Sequence, residues 1–355
     1  MNSKDKTPDG FQSEWLDSIG KNPDQQSENN GGDRMQFDPF RSAENAETSV
    51  ADGHAPQAVS PQRFRQVIGN VVDSWYACLV VPVLAIVVAL VVSTVLVIIP
   101  LLAYGASSGQ MPGNPNGVML KLAEKPAFLM LMLVPSQLVF FFAAIGIARF
   151  SNHNLSDRLG LGVGRDSMLT WPVYVLATPL VGLVISALMS LVVEQESDNM
   201  KFVGDLIKAQ GAGRLLLMIM LIAAVPGICE EVLFRGFSQT FLAKQWPVPA
   251  AICASSALFA VAHVDPLHVI AVFPLGVWFG VITWRTKSII PAVLCHFANN
   301  FVSVMFVQYN VEEMWGAALL WQFGAASGVF FLWALWLFAR RDRAGAERTA
   351  AFVER

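Results

Sequence analysis

Six polar residues stand in segments that are otherwise apolar: Glu230, Glu231, Arg235, His263, His296 and Asn300. Ionisable groups within membrane-length apolar stretches are costly, so their default reading is functional. Glu230 and Glu231 are adjacent, about 100° apart on a helix, and cannot serve one point equally. Glu231 and Arg235 are spaced i, i+4 with the acid first, the favourable order for an ion pair. That pair reads as structural glue and leaves Glu230 for another partner. Phe259 and His263 share one helical face, and so do His296 and Asn300. A sequestered carboxylate beside an imidazole can act as general base toward water. Imidazole and amide groups can donate hydrogen bonds to a developing oxyanion. The set therefore fits addition of water to an amide carbonyl. Taken alone, it also fits a proton- or ion-coupled transporter with Glu230 as the carrier. A non-catalytic membrane scaffold is a third reading.

The elements that must position these groups are membrane spans. The 355 residues are 54% hydrophobic and 14% charged, with a mean hydropathy of +0.49. Soluble domains carry about a quarter charged residues, so the composition indicates a bilayer. A span needs about 20 mostly apolar residues. Eight segments qualify, near 76–104, 127–149, 170–193, 214–240, 248–264, 267–284, 289–307 and 316–339. The expected fold is an all-α polytopic bundle occupying 76–340. With a rise of about 1.5 Å per residue, Glu230 and His263 lie roughly 20 and 24 Å from the shared turn between segments four and five. His296 and Asn300 lie roughly 12 and 18 Å from the same side. Four groups from three helices could thus meet at similar depth. Pro226 precedes Glu230 by four residues and frees a backbone carbonyl in segment four. His268, beside the Asp265-Pro266 turn, reads as an ordinary turn residue.

The flanks add orientation. Residues 1–60 hold eleven acids and five bases and are rich in polar residues, so they read as a disordered cytoplasmic tail. Phe11, Trp15 and Ile19 share one helical face there and could dock a cytosolic partner; scattered hydrophobes are the plainer reading. Residues 61–75 carry the apolar stripe Phe64, Val67, Ile68, Val71 and Trp75, as an interfacial amphipathic helix would. Residues 341–355 form a second cytoplasmic tail. Twelve Lys and Arg flank the inner side and five the outer side if the N-terminus is cytoplasmic. That bias places both termini inside, in the cytoplasmic (inner) membrane. The polar tail does not have a signal-peptide layout. Cys78, Cys229, Cys253 and Cys295 all lie in apolar segments and form no disulfide framework. No nucleic-acid partner is expected.

Three motifs carry a family resemblance. Glu-Glu-x-x-x-Arg at 230–235, Phe-x-x-x-His at 259–263 and His-x-x-x-Asn at 296–300 resemble the signatures of the CPBP family. That family comprises CAAX prenyl proteases and Abi-type or bacteriocin-processing membrane proteins. The resemblance covers roughly 170–310 and implies an intramembrane endopeptidase. It implies that Glu230 activates water with His263, that His296 and Asn300 stabilise the oxyanion, and that Glu231, Arg235 and Phe259 support them. A membrane-embedded or lipidated peptide would be the substrate, within the lipid bilayer. No cofactor is required in the preferred reading. The alternative is Zn²⁺ on Glu230, His263 and His296, although no H-E-x-x-H motif is present.

Overall fold

The computed structural model describes residues 60–108, 115–193 and 197–353. The 1–59 tail with Phe11, Trp15 and Ile19, the loop acids Glu194 and Glu196, and the side chains of Glu312, Glu313 and 343–353 lie outside the described residues. The chain divides between Ile68 and Gly69. The described residues contain helices and no strands.

Helix α1 runs Pro61–Val72 and stops short of Trp75, which instead opens the first span. The amphipathic segment is therefore shorter than 61–75. The spans are α2 (Trp75–Ser108), α4 (Pro126–Ala148), α6 (Trp171–Val192), α8 (Ala212–Gln245), α10 (Pro266–Thr286), α11 (Ile290–Tyr309) and α12 (Val311–Val353, broken at Gly316 with φ of 67°, its spanning part Leu319–Asp342). Among the described residues, seven helices are long and apolar enough to cross a membrane. The eighth apolar helix, α9 (Val248–Val261), has 14 residues. At 1.5 Å per residue it spans about 21 Å, short of the roughly 30 Å hydrocarbon layer. Three helices escaped the sequence reading: α3 (Pro115–Ala123), α5 (Leu155–Leu159) and α7 (Asp198–Gln210). All three lie in connections too short or too polar to show as spans. At one end, Leu129 of α4, Leu206 of α7, Met218 of α8 and Val304 of α11 share a buried apolar cluster.

Helix α8 carries the acidic motif and departs from α geometry twice. It is π-helical over Ile219–Ala224 and again over Val232–Gln239. Wide turns of this kind re-aim side chains and free carbonyls, and they recur at functional sites. The freed groups here find partners. Thr240 Oγ1 donates to Arg235 O at 2.8 Å, and Asn300 Nδ2 donates to Ile222 O at 3.0 Å. Pro226 lacks the N–H that Ile222 O would otherwise accept.

Two donors on α8 then lace it to α10. Arg235 Nη2 donates to Gly276 O at 2.9 Å, and Gln239 Nε2 to Gly280 O at 2.8 Å. Donors and glycines are each four residues apart, so they repeat once per turn. The glycines leave room for side chains of α8 and α9, Arg235 and Ser256 at Gly276, Gln239 and Ile252 at Gly280. A Cβ on Gly280 would lie 2.8 Å from Gln239 Oε1, and one on Gly236 only 2.8 Å from Leu159 O of α5. A comparable insertion joins α12 to α6. The Ser327 hydroxyl accepts from Leu180 N at 2.9 Å and donates to Leu176 O at 2.7 Å, next to Pro179. Proline has already weakened the ladder there.

The membrane-flanking side has its own polar anchor. Arg158 is fully buried and bonds Asp73 Oδ1 at 3.1 Å and Phe237 O at 2.7 Å. Its guanidinium stacks on Phe237 and Phe241 at 4.2 and 4.1 Å. Burial pulls Arg158 below the usual guanidinium range, while the nearby Cys78 and Asp73 oppose that. Arg285 pairs with Asp342, and Arg341 with Asp166, fastening α12 to α10 and to the 160–170 segment.

Candidate active site

Seen from α8, the polar residues divide between two sides. On the first side, Glu231 and Arg235 have no exposed surface and pair at 2.9 Å. Glu231 Oε1 also meets His296 Nδ1 at 2.9 Å. A carboxylate paired with arginine can only accept, so Nδ1 of His296 carries the hydrogen. Phe259 packs between these groups. The Arg235 guanidinium lies 4.3 Å from the centre of its ring, and the His296 ring meets it edge-on at 5.6 Å. Phe279 stacks on the other face of His296 at 5.1 Å. The result is an imidazole with one nitrogen tied and its plane held by rings.

On the second side, Glu230 faces a cavity of about 220 Å³. Its Oε1 accepts from Gln137 Nε2 of α4 at 2.9 Å. Its Oε2 is buried and has no hydrogen-bond partner among the described residues. The nearest imidazole nitrogen to that oxygen is His296 Nε2, at 3.9 Å. His263 lines the same cavity, together with Ser93 of α2 and Ser136 of α4. A buried carboxylate oxygen without a partner is energetically expensive; Glu231 Oε2 is another among the described residues, but Glu231 does not line the cavity.

His263 lies beyond the end of α9, in a tight turn. Its Nδ1 meets Phe259 O at 3.0 Å; a carbonyl only accepts, so Nε2 is left for other partners. The turn is closed by Val264, a β-branched residue with φ of 64°. That conformation is strained by about 1–3 kcal/mol and persists only where the surroundings enforce it. Part of the enforcement comes from Asp265, which caps α10 by accepting from Leu267 N and His268 N, both at 3.0 Å. The Ser197 hydroxyl, the His268 N–H and the Asn199 amide hold the Asp265 carboxyl below its ordinary range. Because α9 is short, the turn stays at depth. Glu230 and His263 are each 15 residues from the facing ends of α8 and α9, Gln245 and Val248.

The residues singled out in the sequence thus come together, with different partners for some. The Glu231–Arg235 pair forms as expected. No hydrogen bond joins Glu230 to His263 among the described residues; they share a cavity. His296 is bonded to Glu231. Asn300 turns one amide hydrogen to Ile222 O and accepts from Asn299 Nδ2 at 3.2 Å, and neither it nor His296 lines the cavity. Glu230, His263 and His296, the set considered for Zn²⁺, bond through one atom each to Gln137, Phe259 O and Glu231, and Glu230 Oε2 lies 3.9 Å from His296 Nε2. Among the described residues no three His, Cys, Asp or Glu side chains gather as a metal-ion site. The ring of His268 lies 4.6 Å from that of His263.

Gln137, Ser136 and Ser93 were missed. They belong to the first two spans, outside the resemblance, and they supply much of the cavity's polar lining. The available signal was the same one that exposed Glu230. They are polar residues in segments otherwise almost uniformly apolar.

Comparisons with known proteins bear on this region. Residues 212–302 match the family described as Rce1-like, type II CAAX prenyl endopeptidase Rce1-like. The putative membrane peptidase YdiL of Bacillus subtilis (strain 168) is 30% identical over 112 residues, which are 31% of this chain and 44% of that protein. The chain therefore spans less than half the length of that relative. No solved structure matches. The family match begins and ends within α8 to α11 and contains Glu230, Glu231, Arg235, Phe259, His263, His296 and Asn300.

Proposed function

We infer that this integral membrane protein, whose residues 212–302 carry the CPBP/CAAX-type protease segment, is an intramembrane endopeptidase in which Glu230 activates the attacking water. One observation carries this reading. The Glu230 carboxylate has one oxygen held by Gln137 and the other unpartnered, beside a cavity that His263 also lines.

In this reading the free oxygen of Glu230 takes a proton from water, and the resulting hydroxide adds to the scissile carbonyl carbon. The carbonyl oxygen becomes an oxyanion. His296 reaches it through Nε2 when that nitrogen carries a hydrogen. Asn300 contributes its second amide hydrogen, since only one is spent on Ile222 O. The C–N bond then breaks as Glu230 returns the proton to the leaving nitrogen, so that one water is added across one peptide bond. His263, with Nδ1 tied to Phe259 O, orients the water or shares its proton through Nε2. Metal-independent chemistry is part of the proposal, because no H-E-x-x-H motif is present and, among the described residues, no three His, Cys, Asp or Glu side chains gather as a metal-ion site.

The substrate class we propose is a membrane-embedded or lipidated peptide. The termini are proposed to be cytoplasmic, in the inner membrane, from the Lys and Arg bias of the flanks. The test uses the full chain in lipid nanodiscs and a panel of fluorogenic peptides with and without an acyl or prenyl anchor. Cleavage should persist in the presence of a chelator and vanish in Glu230→Gln. A Glu230→Gln variant that cleaves like the unchanged protein would sink the assignment. Loss of activity on chelation, restored by Zn²⁺, would overturn the metal-independent part.

A further inference from the structure

Gln137 lies on α4, well outside the segment matched by the family, yet it makes the one hydrogen bond that Glu230 has among the described residues, Nε2 to Oε1 at 2.9 Å. Its own carbonyl oxygen, Oε1, is buried and has no donor. So is Glu230 Oε2. Both residues line the same cavity. Two acceptors without donors, in one cavity within an apolar bundle, are expensive to leave unmatched.

An amide can lie in either of two orientations that exchange its oxygen and nitrogen. Here the partner decides. Glu230, acting as a carboxylate, can only accept, so the NH₂ end must face it and the oxygen must face away. The bond also chooses between the carboxylate's two oxygens. It occupies Oε1 and leaves Oε2 for the reaction. Of the other lining groups, Ile86, Ala89, Leu90, Phe140 and Ala262 offer no hydrogen-bonding side chain, while Ser93, Ser136 and His263 do but make no hydrogen bond to Glu230 among the described residues.

We propose that Gln137 is a positioning residue for Glu230: its amide nitrogen fixes one carboxylate oxygen so that the other faces the cavity, and its amide oxygen gives the cavity a second acceptor for a donor group, either the attacking water or a substrate backbone N–H. The proposal rests on the reading of Glu230 as the base. It extends the site to α4, so the family-matched segment alone does not complete it.

The test reads Glu230 directly and needs no substrate. Infrared spectra of the full chain in lipid nanodiscs are recorded across a pH titration. Subtracting the Glu230→Gln spectrum isolates the Glu230 carboxyl bands. Gln137→Met is close to isosteric and removes both the donor and the acceptor. It should displace those bands and move the half-titration point by about one pH unit, the scale of one hydrogen bond to a charged group. Gln137→Asn keeps the amide but is one methylene short, and it serves the same measurement if the methionine variant does not fold. Glu230 bands and midpoint that match the unchanged protein in a folded variant would overturn the proposal. Where a peptide is cleaved, the same variants should lower kcat by about tenfold and leave KM within twofold, since the group acts through Glu230. Displaced bands with no peptide cleaved by any form would sink the protease reading and leave this one standing.

Discussion

Glu230 and Glu231 are neighbours in sequence and opposites in situation. Glu231 is enclosed on every side: Arg235 and His296 share one of its oxygens, each at 2.9 Å. Arg235 in turn reaches Gly276 O, and Phe259 and Phe279 cover the group. Glu230 bonds Gln137 through one oxygen; each carboxylate has a second oxygen without a partner among the described residues, but that of Glu230 belongs to a residue lining a cavity and that of Glu231 does not. One carboxylate is tied to two cationic or imidazole partners; the other lines open space. A helical step of about 100° makes this division possible, by sending adjacent side chains to different neighbours.

The comparison can be broken or sharpened by substitution. The largest effect should come from Glu230→Gln, which removes the base but keeps the shape and the bond to Gln137. Peptide cleavage should fall by about 10²–10⁴-fold while thermal melting in detergent changes little. A folded Glu230→Gln protein with full activity would erase the distinction between the two carboxylates. Next comes Arg235→Leu, which strands a buried charge at Glu231. It should cost about 3–5 kcal/mol and show as loss of monodisperse protein on size exclusion. Survival of that variant with normal melting would mean that the enclosed side is not structural.

Gly236→Ala tests the packing behind the pair. Its new Cβ would sit 2.8 Å from the Leu159 backbone carbonyl, which cannot swing away as a side chain could. A melting shift equivalent to about 1–3 kcal/mol is expected; a neutral result would show that α5 can retreat from α8. The smallest effect belongs to the open side. Asp265→Ala removes the cap on α10 and should lower the melting temperature slightly, measured at neutral pH. The Asp265 carboxyl is depressed in the folded protein. Its contribution is therefore fully present above the unfolded aspartate value of about 4 and fades as pH falls through the lower folded value. The difference between Asp265→Ala and the unchanged protein should close in acid. A difference that grew in acid would contradict this sign.

Much of this was legible in the linear chain, and the reason is cost. A charge within an apolar run is improbable without a purpose, so Glu230, Glu231, Arg235, His263 and His296 stood out by composition alone. The i, i+4 pair of Glu231 and Arg235 followed from helical geometry, which is local. The helices outside the spans were harder to see. The short α5 and the polar α7 lack the long apolar runs that betray a span. The bonds from Arg235 and Gln239 to Gly276 O and Gly280 O join residues 41 positions apart, which no local pattern announces.

By itself, then, the sequence determined the all-α membrane bundle, the approximate positions of its spans, and which residues were too costly to be idle. Those properties depend on composition and on a period of a few residues. Only the tertiary structure decided who meets whom. Gln137 reaches Glu230 across 93 positions of sequence, His296 reaches Glu231 across 65, and Asn300 turns to a carbonyl left bare beside Pro226. It also showed that α9 is short enough to leave His263 at the depth of Glu230. No local pattern encodes such meetings. They follow from how π-turns, close glycine contacts and a truncated helix set the rotation and depth of each span against its neighbours.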